Sequence, residues 1–212
     1  LEIRCFDRLP STQRWLTEAI RGGAITEPTA VLTREQTDGI GSRDNRWIGH
    51  PGNFFASVAL REEDLPEDLP PSAASIYFGW IMRELLCERL EKPVWLKWPN
   101  DLYLGSKKVG GILTTRLRSF YVAGIGINLK KSEKNFAALE TELPPMILLD
   151  MYLERLARPP KWKELFRKYR LEFERSRPFG THRGAEFITL EKARLMEDGS
   201  IILDGERIVE LR

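Results

Sequence analysis

Apolar positions along the chain fall at two spacings, and the switches between them outline its elements. Runs of strand length occur at 2–7 (EIRCFD), 30–33, 54–60 (FFASVAL), 94–98 (VWLKW), 109–114 (VGGILT) and 120–127 (FYVAGIGI). Each predicts a β-strand, because side chains on a pleated strand alternate between two faces and short apolar runs suit strands. Helical spacing takes over in QRWLTEAI, where Trp15, Leu16, Ala19 and Ile20 share a face until Gly22-Gly23 ends the run. SAASIYFGWIMRELLCERL predicts the clearest helix, with Tyr77, Ile81 and Leu85 as its apolar stripe and Trp80 beside them. Residues 146–157 and 161–173 also read as helices, divided by Pro159-Pro160.

Glycine, proline and small polar residues mark the connections. The stretch 37–53 carries four glycines with Asp38, Asp44, Asn45 and Pro51, which predicts one long loop. RLRS, 116–119, predicts a hairpin link between the strands on either side. After Gly180 the texture changes to short β-like runs (AEFITL, ARLM, SIIL, RIVEL) joined by turns such as Asp198-Gly199 and Asp204-Gly205. The chain therefore divides near residue 176. Residues 1–175 form the main domain, and 176–212 a small C-terminal β domain that must pack on it to bury a core. Helices mixed with adjacent hairpin-like strands predict an α+β fold, a mixed sheet flanked by helices rather than a doubly wound parallel sheet.

Composition narrows the function. Lys and Arg number 33 against 31 Asp and Glu, a formal charge of +2, which makes no case for a large nucleic-acid surface. Cys5 and Cys87 are far apart in sequence and form no CxxC pair, so both read as reduced structural thiols. No apolar stretch approaches membrane-spanning length and the N-terminus shows no signal-peptide pattern, so the expected location is the cytoplasm.

Three stretches carry candidate chemistry. In the loop, Gly39 and Gly41 free the backbone to curve round an anion, with Arg43 and Arg46 to contact its oxygens. A plain surface loop closed by a buried Trp47 fits the same residues. KWPNDLYLGSKKVGGI, 97–112, ends a strand at Pro99 so that Asn100 and Asp101 point beyond the sheet edge. A short turn then returns Lys108 to the carboxylate's side, and Gly110-Gly111 lets a ligand approach the strand. A charged hairpin stiffened by proline is the bland reading. AGIGIN, 123–128, sets Gly124 and Gly126 on one face, Ile125 and Ile127 on the other, and ends in Asn128. A side-chain-free face suits a flat ligand or dense packing under a helix. His50 and His182 lack a third ligand at zinc spacing, and no GxSxG or Cys–His arrangement points to a covalent side-chain nucleophile.

Ser11-Thr12-Gln13, the Gln36–Trp47 loop, KWPNDLYLGSKKVGGI and AGIGIN together resemble the biotin protein ligases, also called biotin–acetyl-CoA-carboxylase ligases. The resemblance implies a class II aminoacyl-tRNA synthetase-like catalytic domain with a small SH3-like β-barrel after it. It implies a two-step reaction using ATP and Mg²⁺: biotin is converted to biotinyl-5′-AMP, then transferred to a lysine of the biotin carboxyl carrier protein of acetyl-CoA carboxylase. Carried onto this chain, Ser11, Thr12, Gln13, Gln36, Gly39, Lys108, Gly111 and Gly124 would bind biotin. Arg43, Trp47, Lys97, Asn100 and Asn128 would hold ATP and the adenylate. Lys108, Asp101 and Arg43 would be catalytic, Lys108 facing the carboxylate and α-phosphate and Asp101 the acceptor amine.

Two departures from the family pattern stand out. The first matching motif begins at residue 11, which leaves no room for a DNA-binding winged helix before it and predicts a monofunctional enzyme with no nucleic-acid partner. The loop reads GIGSRDNRW against the usual GRGRxGRxW, so Ile40, Ser42 and Asn45 stand where arginine is usual. A lipoate or octanoate ligase of related fold, and a noncatalytic biotin- or nucleotide-binding module, are the competing readings. The sequence does not discriminate a monomer from a homodimer or identify metal ligands.

Overall fold

A seven-stranded sheet runs through the molecule in the order β1-β2-β5-β9-β8-β7-β6. The computed structural model describes residues 1–41, 46–47, 49–183 and 186–209, with backbone alone at Arg46, His182 and Arg183. In chain order the elements are β1 (Glu2–Leu9), α1 (Thr12–Arg21), β2 (Thr29–Gln36), the short pair β3 (Gly39–Ile40) and β4 (Arg46–Trp47), β5 (Phe54–Arg61), α2 (Ala74–Leu90), β6 (Val94–Lys97), β7 (Asp101–Leu104), β8 (Lys107–Leu117), β9 (Phe120–Ile127), α3 (Pro145–Leu156) and α4 (Trp162–Phe173). Beyond them lie β10 (Gly180–Arg183), β11 (Glu186–Thr189), β12 (Arg194–Leu195), β13 (Ile201–Leu203) and β14 (Glu206–Ile208). Only β1 and β2 pair in parallel, joined through α1; the other sheet neighbours are antiparallel, giving the expected mixed sheet.

The two faces of the sheet bury different partners. α1 packs on one face over Val31, Ala59, Phe120 and Val122 through Leu16 and Ile20. Ser11 caps this helix, its hydroxyl accepting from Arg14 N at 3.3 Å, which satisfies one of the otherwise orphaned N–H groups of a helix start. α2, α3 and α4 build the larger core on the opposite face, against residues such as Ile112, Ile125 and Ile127. α2 has no single apolar stripe: eleven of its residues, Ala74 to Met82 with Leu85 and Leu86, are buried. The reason is that α3 and α4 cover the side turned away from the sheet.

The predicted loop 37–53 contains the β3–β4 pair, with Gly39 opposite Trp47. Residues 42–45 and 48 lie outside the described residues. The RLRS link is shorter than expected. β8 continues through Leu117, and the turn is Arg118-Ser119 with Arg118 at φ 54°, the left-handed geometry of a two-residue hairpin.

The C-terminal strands form a two-stranded sheet (β10–β11) and a three-stranded one (β12–β13–β14). Ile188, Leu190, Ala193, Ile201 and Leu203 belong to the same core as α2, so this segment packs on the main body. The indoles of Trp98 and Trp162 fasten it, donating to Gly199 O and Glu197 O, each at 2.8 Å. Both cysteines are free thiols. Among the described residues no helix is long and apolar enough to cross a membrane.

Candidate active site

Packing under α1 stops where β9 runs out of side chains. Phe120 and Val122 fill the α1 face of that strand; Gly124 and Gly126, next on the same face, leave a hollow beside the helix N-terminus. The pocket there is lined by Ser11, Thr12, Gln13, Gln36, Trp47, Asn100, Asp101, Lys108, Gly111, Gly124 and Gly126, with Ile40, Gly41, Ile112, Leu113 and Ile125. Three separate sequence motifs and the described part of the loop therefore meet at one place. A side chain on either β9 glycine would fill it. A Cβ on Gly124 would lie 2.6 Å from Gln13 Oε1, and one on Gly126 would lie 2.7 Å from the Trp47 indole.

Polar groups from α1 form one wall. Thr12 N donates to Gln36 Oε1 at 2.8 Å, and the Thr12 hydroxyl accepts from Ser57 Oγ at 2.8 Å. Gln13 Nε2 donates to Val122 O (3.1 Å) and to Thr115 Oγ1 (3.3 Å). Only the amide nitrogen can donate to a carbonyl, so these bonds fix which end of Gln13 faces the pocket. The end turned to the pocket is Oε1, a buried acceptor with no partner among the described residues. An unmet buried acceptor is costly, and here it marks a place for a ligand N–H.

The charged wall depends on a β-bulge. Asp101 pairs with Gly111 and Leu102 with Gly110, but Tyr103 pairs with Lys108, so the register shifts past Val109. In an unbroken strand Lys108 would project opposite to Gly111; one extra residue turns it to the same face. Val109 points into the core instead, and the bulge carbonyls are taken up by Asn128 N (2.8 Å, on Val109 O) and Ala137 N (2.9 Å, on Lys108 O). Lys108 Nζ consequently sits 2.5 Å from Asp101 Oδ1 and 5.6 Å from the Trp47 ring centre. Lys97 Nζ lies 3.5 Å from the second carboxylate oxygen. Burial pushes the Asp101 carboxyl up, but Lys108 and then Lys97 outweigh that and hold it below the usual carboxylate range.

The remaining expected site residues occupy supporting positions. Asn100 lines the pocket, yet its amide donates to Ile112 O at 2.7 Å while Ile112 N donates to Asn100 O at 2.9 Å, which ties the corner after Pro99 to β8. The Trp98–Pro99 peptide at that corner is cis. Asn128 is buried, its Oδ1 accepting from Asn53 Nδ2 at 3.4 Å and its Nδ2 donating to Ala137 O at 3.1 Å. It braces the loop beside Lys108 and is absent from the pocket lining. Gly39 also stands behind the lining, where a Cβ would meet Trp47 O at 2.6 Å and Gln36 Nε2 at 2.8 Å. Arg43 lies outside the described residues. Ser57 and Thr115 carry no motif in the sequence: Ser57 is a lone hydroxyl in an apolar strand and Thr115 one of two adjacent threonines in β8, signals that mean little until the fold places them against α1.

A mixed sheet carrying a glycine-floored pocket, an anchored amide and a carboxylate between two lysines defines the class. The model of the biotin/lipoate A/B protein ligase family matches residues 5–132, and the chain belongs to that family. The biotin acetyl coenzyme A carboxylase synthetase of Helicobacter pylori, solved with biotinylated ATP bound, is 38% identical, with a TM-score of 0.93 over 99% of both chains. The biotin–acetyl-CoA-carboxylase ligase of Paracoccus denitrificans is 32% identical over 126 residues, 55% of this chain and 50% of that protein. The bifunctional ligase/repressor BirA of Escherichia coli is 33% identical over 130 residues, 57% of this chain and 38% of BirA. The matched stretch thus spans half or less of the length of these two relatives.

Proposed function

We propose that the protein is an ATP-dependent biotin–protein ligase that makes biotinyl-5′-AMP and passes the biotinyl group to a lysine of the carrier protein of acetyl-CoA carboxylase. The observation that carries this reading is the pairing, in one pocket, of the unpartnered Gln13 acceptor with the Lys108 ammonium. Gln13 Oε1 lies over Gly124 and Lys108 Nζ over Gly111, where an added Cβ would stand 2.6 and 3.3 Å from them. Those two rows of the sheet, Gly124–Leu113 and Gly126–Gly111, are two residues apart, about 7 Å along the strand before side-chain reach is added. A ligand with a cyclic urea at one end and a carboxylate at the other matches that spacing of acceptor and cation. The relatives' names supply the particular acid and carrier.

In the first step a biotin carboxylate oxygen bonds to the α-phosphorus of ATP, and the bond from that phosphorus to the bridging oxygen of pyrophosphate breaks. Lys108 neutralises charge that builds on the carboxylate and α-phosphate, a fixed cation that needs no reorganisation during reaction. Ser11, Thr12 and Gln13 hold the ureido ring, with Gln36 fastening Thr12 from behind. Mg²⁺ accompanies ATP as a counter-ion to its phosphates. Among the described residues no group of three His, Cys, Asp or Glu side chains is arranged to hold a metal, and Asp101 is engaged by two lysines, so the ion would be carried in by the phosphates of ATP.

In the second step the acceptor amine bonds to the acyl carbon, the acyl–oxygen bond breaks, and AMP leaves. A carboxyl held below its usual range is a weak base. Asp101 therefore serves as an ionised acceptor that orients the amine N–H, and the proton departs to solvent. Residues 1–175 carry the site and 176–212 buttress it. Incubating the protein with biotin, ATP and an apo carrier domain, and weighing the product by mass spectrometry, tests the reading. A biotinylated lysine is expected; lipoylation without biotinylation would replace biotin by lipoate, and pyrophosphate exchange with no transfer would remove the carrier from the proposal.

A further inference from the structure

The strand that leads into Asp101 is an edge strand whose edge is closed by side chains. β6 ends the sheet, and an edge strand presents every second N–H to no neighbour. Here those groups find acceptors outside any strand. Val94 N donates to Lys92 O at 2.7 Å, Leu96 N to Glu172 Oε1 at 2.7 Å, and Trp98 N to Ser176 Oγ at 3.1 Å. Glu172 lies near the end of α4 and Ser176 ends the 3₁₀ turn that follows it, Glu174–Ser176. A helix rises about 6 Å over four residues and a strand about 6.6 Å over two. The two side chains thus step along the edge at nearly the strand's own spacing.

Both acceptors are held in place. Glu172 is 9% exposed and Ser176 fully buried. The second Glu172 oxygen accepts from Arg83 at 2.6 Å, and the Arg83 guanidinium lies 4.8 Å from the Trp80 ring centre. The Trp98 indole is fixed separately by Gly199 O. Immediately beyond these anchored N–H groups the chain turns at Pro99, and Lys97 faces Asp101 across the corner.

We infer that Ser176 and Glu172 are positioning residues for the candidate site, acting through the backbone of the β6–β7 corner to hold Lys97 and Asp101 against Lys108. The role rests on the ligase reading for its effect on rate, but not for its effect on geometry. Helix α4 and the turn after it thereby do for the catalytic strand what a neighbouring strand does elsewhere in the sheet.

Ser176→Ala removes the acceptor at Trp98 N with little change in volume. Two readouts apply. Single-turnover transfer from added biotinyl-5′-AMP to an apo carrier domain should slow about tenfold, in keeping with the rate cost of small misplacements remote from the reacting atoms. Titration of the Asp101 carboxyl by ¹³C NMR should move up toward the ordinary range as the carboxylate drifts from its lysines. Ser176→Thr, which keeps the hydroxyl, should restore both. Leu149→Ala, a core deletion in α3, should lower the melting temperature while leaving both readouts parental. A parental transfer rate or a parental Asp101 titration in folded Ser176→Ala overturns the inference, as does a loss equal to that of Leu149→Ala. If Ser176→Ala does not fold, Ser176→Cys, of similar volume and weaker acceptor strength, carries the same two measurements. Failure of the unmodified enzyme to transfer biotin would count against the ligase reading, and the Asp101 titration would still decide the positioning.

Discussion

Gly124→Ala adds one methyl group to the floor of the pocket. Its Cβ would stand 2.6 Å from Gln13 Oε1 and 3.1 Å from Gln13 Cδ, inside or at the limit of what real contacts tolerate. Gln13 has no easy retreat, because its nitrogen is tied to Val122 O on the same strand and to Thr115 on the next. If the amide swings away, those bonds lengthen, and the stability cost is about that of one net hydrogen bond, 0.5–1.5 kcal/mol. The larger consequence falls on the ligand. Displacing the acceptor leaves a ureido N–H desolvated and unpaired, worth about 1–3 kcal/mol, or roughly five- to 150-fold in Kd. Isothermal titration with biotin in the absence of ATP measures this directly. Gly126→Ala is the comparison, since its Cβ presses on the Trp47 indole instead of Gln13. An unchanged biotin Kd in folded Gly124→Ala would refute the claim that Gln13 reads the ureido ring over Gly124.

Lys108→Ala should slow ATP–pyrophosphate exchange by about 10²–10³, the usual result of removing one fixed stabiliser of transition-state charge, and parental exchange would take Lys108 out of the first step. Asp101→Asn should slow single-turnover transfer from supplied biotinyl-5′-AMP, with equal rates excluding the orienting role. The same change takes from Lys108 the carboxylate it pairs with, and breaking a buried pair in this way costs about 3–5 kcal/mol, to be read from denaturant unfolding near neutral pH. The acid limb supplies a further check. Because the Asp101 pKa is depressed in the folded protein, its contribution to stability is full above the unfolded value of about 3.9 and is lost as pH falls through the folded value. The melting temperature of the unmodified protein should therefore fall more steeply below about pH 4 than that of Asp101→Asn, and parallel slopes would contradict the depressed pKa.

The local pattern determined most of the elements. Strands at FFASVAL and FYVAGIGI, and the helices after residues 11, 145 and 161, follow from side-chain period and from caps and breakers that act over a few residues. Gly124 and Gly126 facing away from Ile125 and Ile127 was legible for the same reason, since strand alternation has a fixed period. The chemistry of KWPNDLYLGSKKVGGI was legible as a motif. The return of Lys108 to the carboxylate's side was expected from a short turn, but a turn alone leaves the lysine opposite Gly111, and only pairing with β7 reveals the extra residue at Val109 that brings it round. The burial of α2 on all sides was likewise beyond its own sequence, because it depends on helices that begin more than fifty residues later. Asn128 and Asn100 show the same limit from the other direction, for their amides are taken up by backbone carbonyls that only the folded chain brings near. Glu172 and Ser176 gave no sign in the sequence, an acid and a hydroxyl at the end of an amphipathic helix. Period and propensity act between near neighbours, whereas a hydrogen bond to an edge strand 76 or 78 residues away exists only once the tertiary structure has chosen which edge that helix will cover.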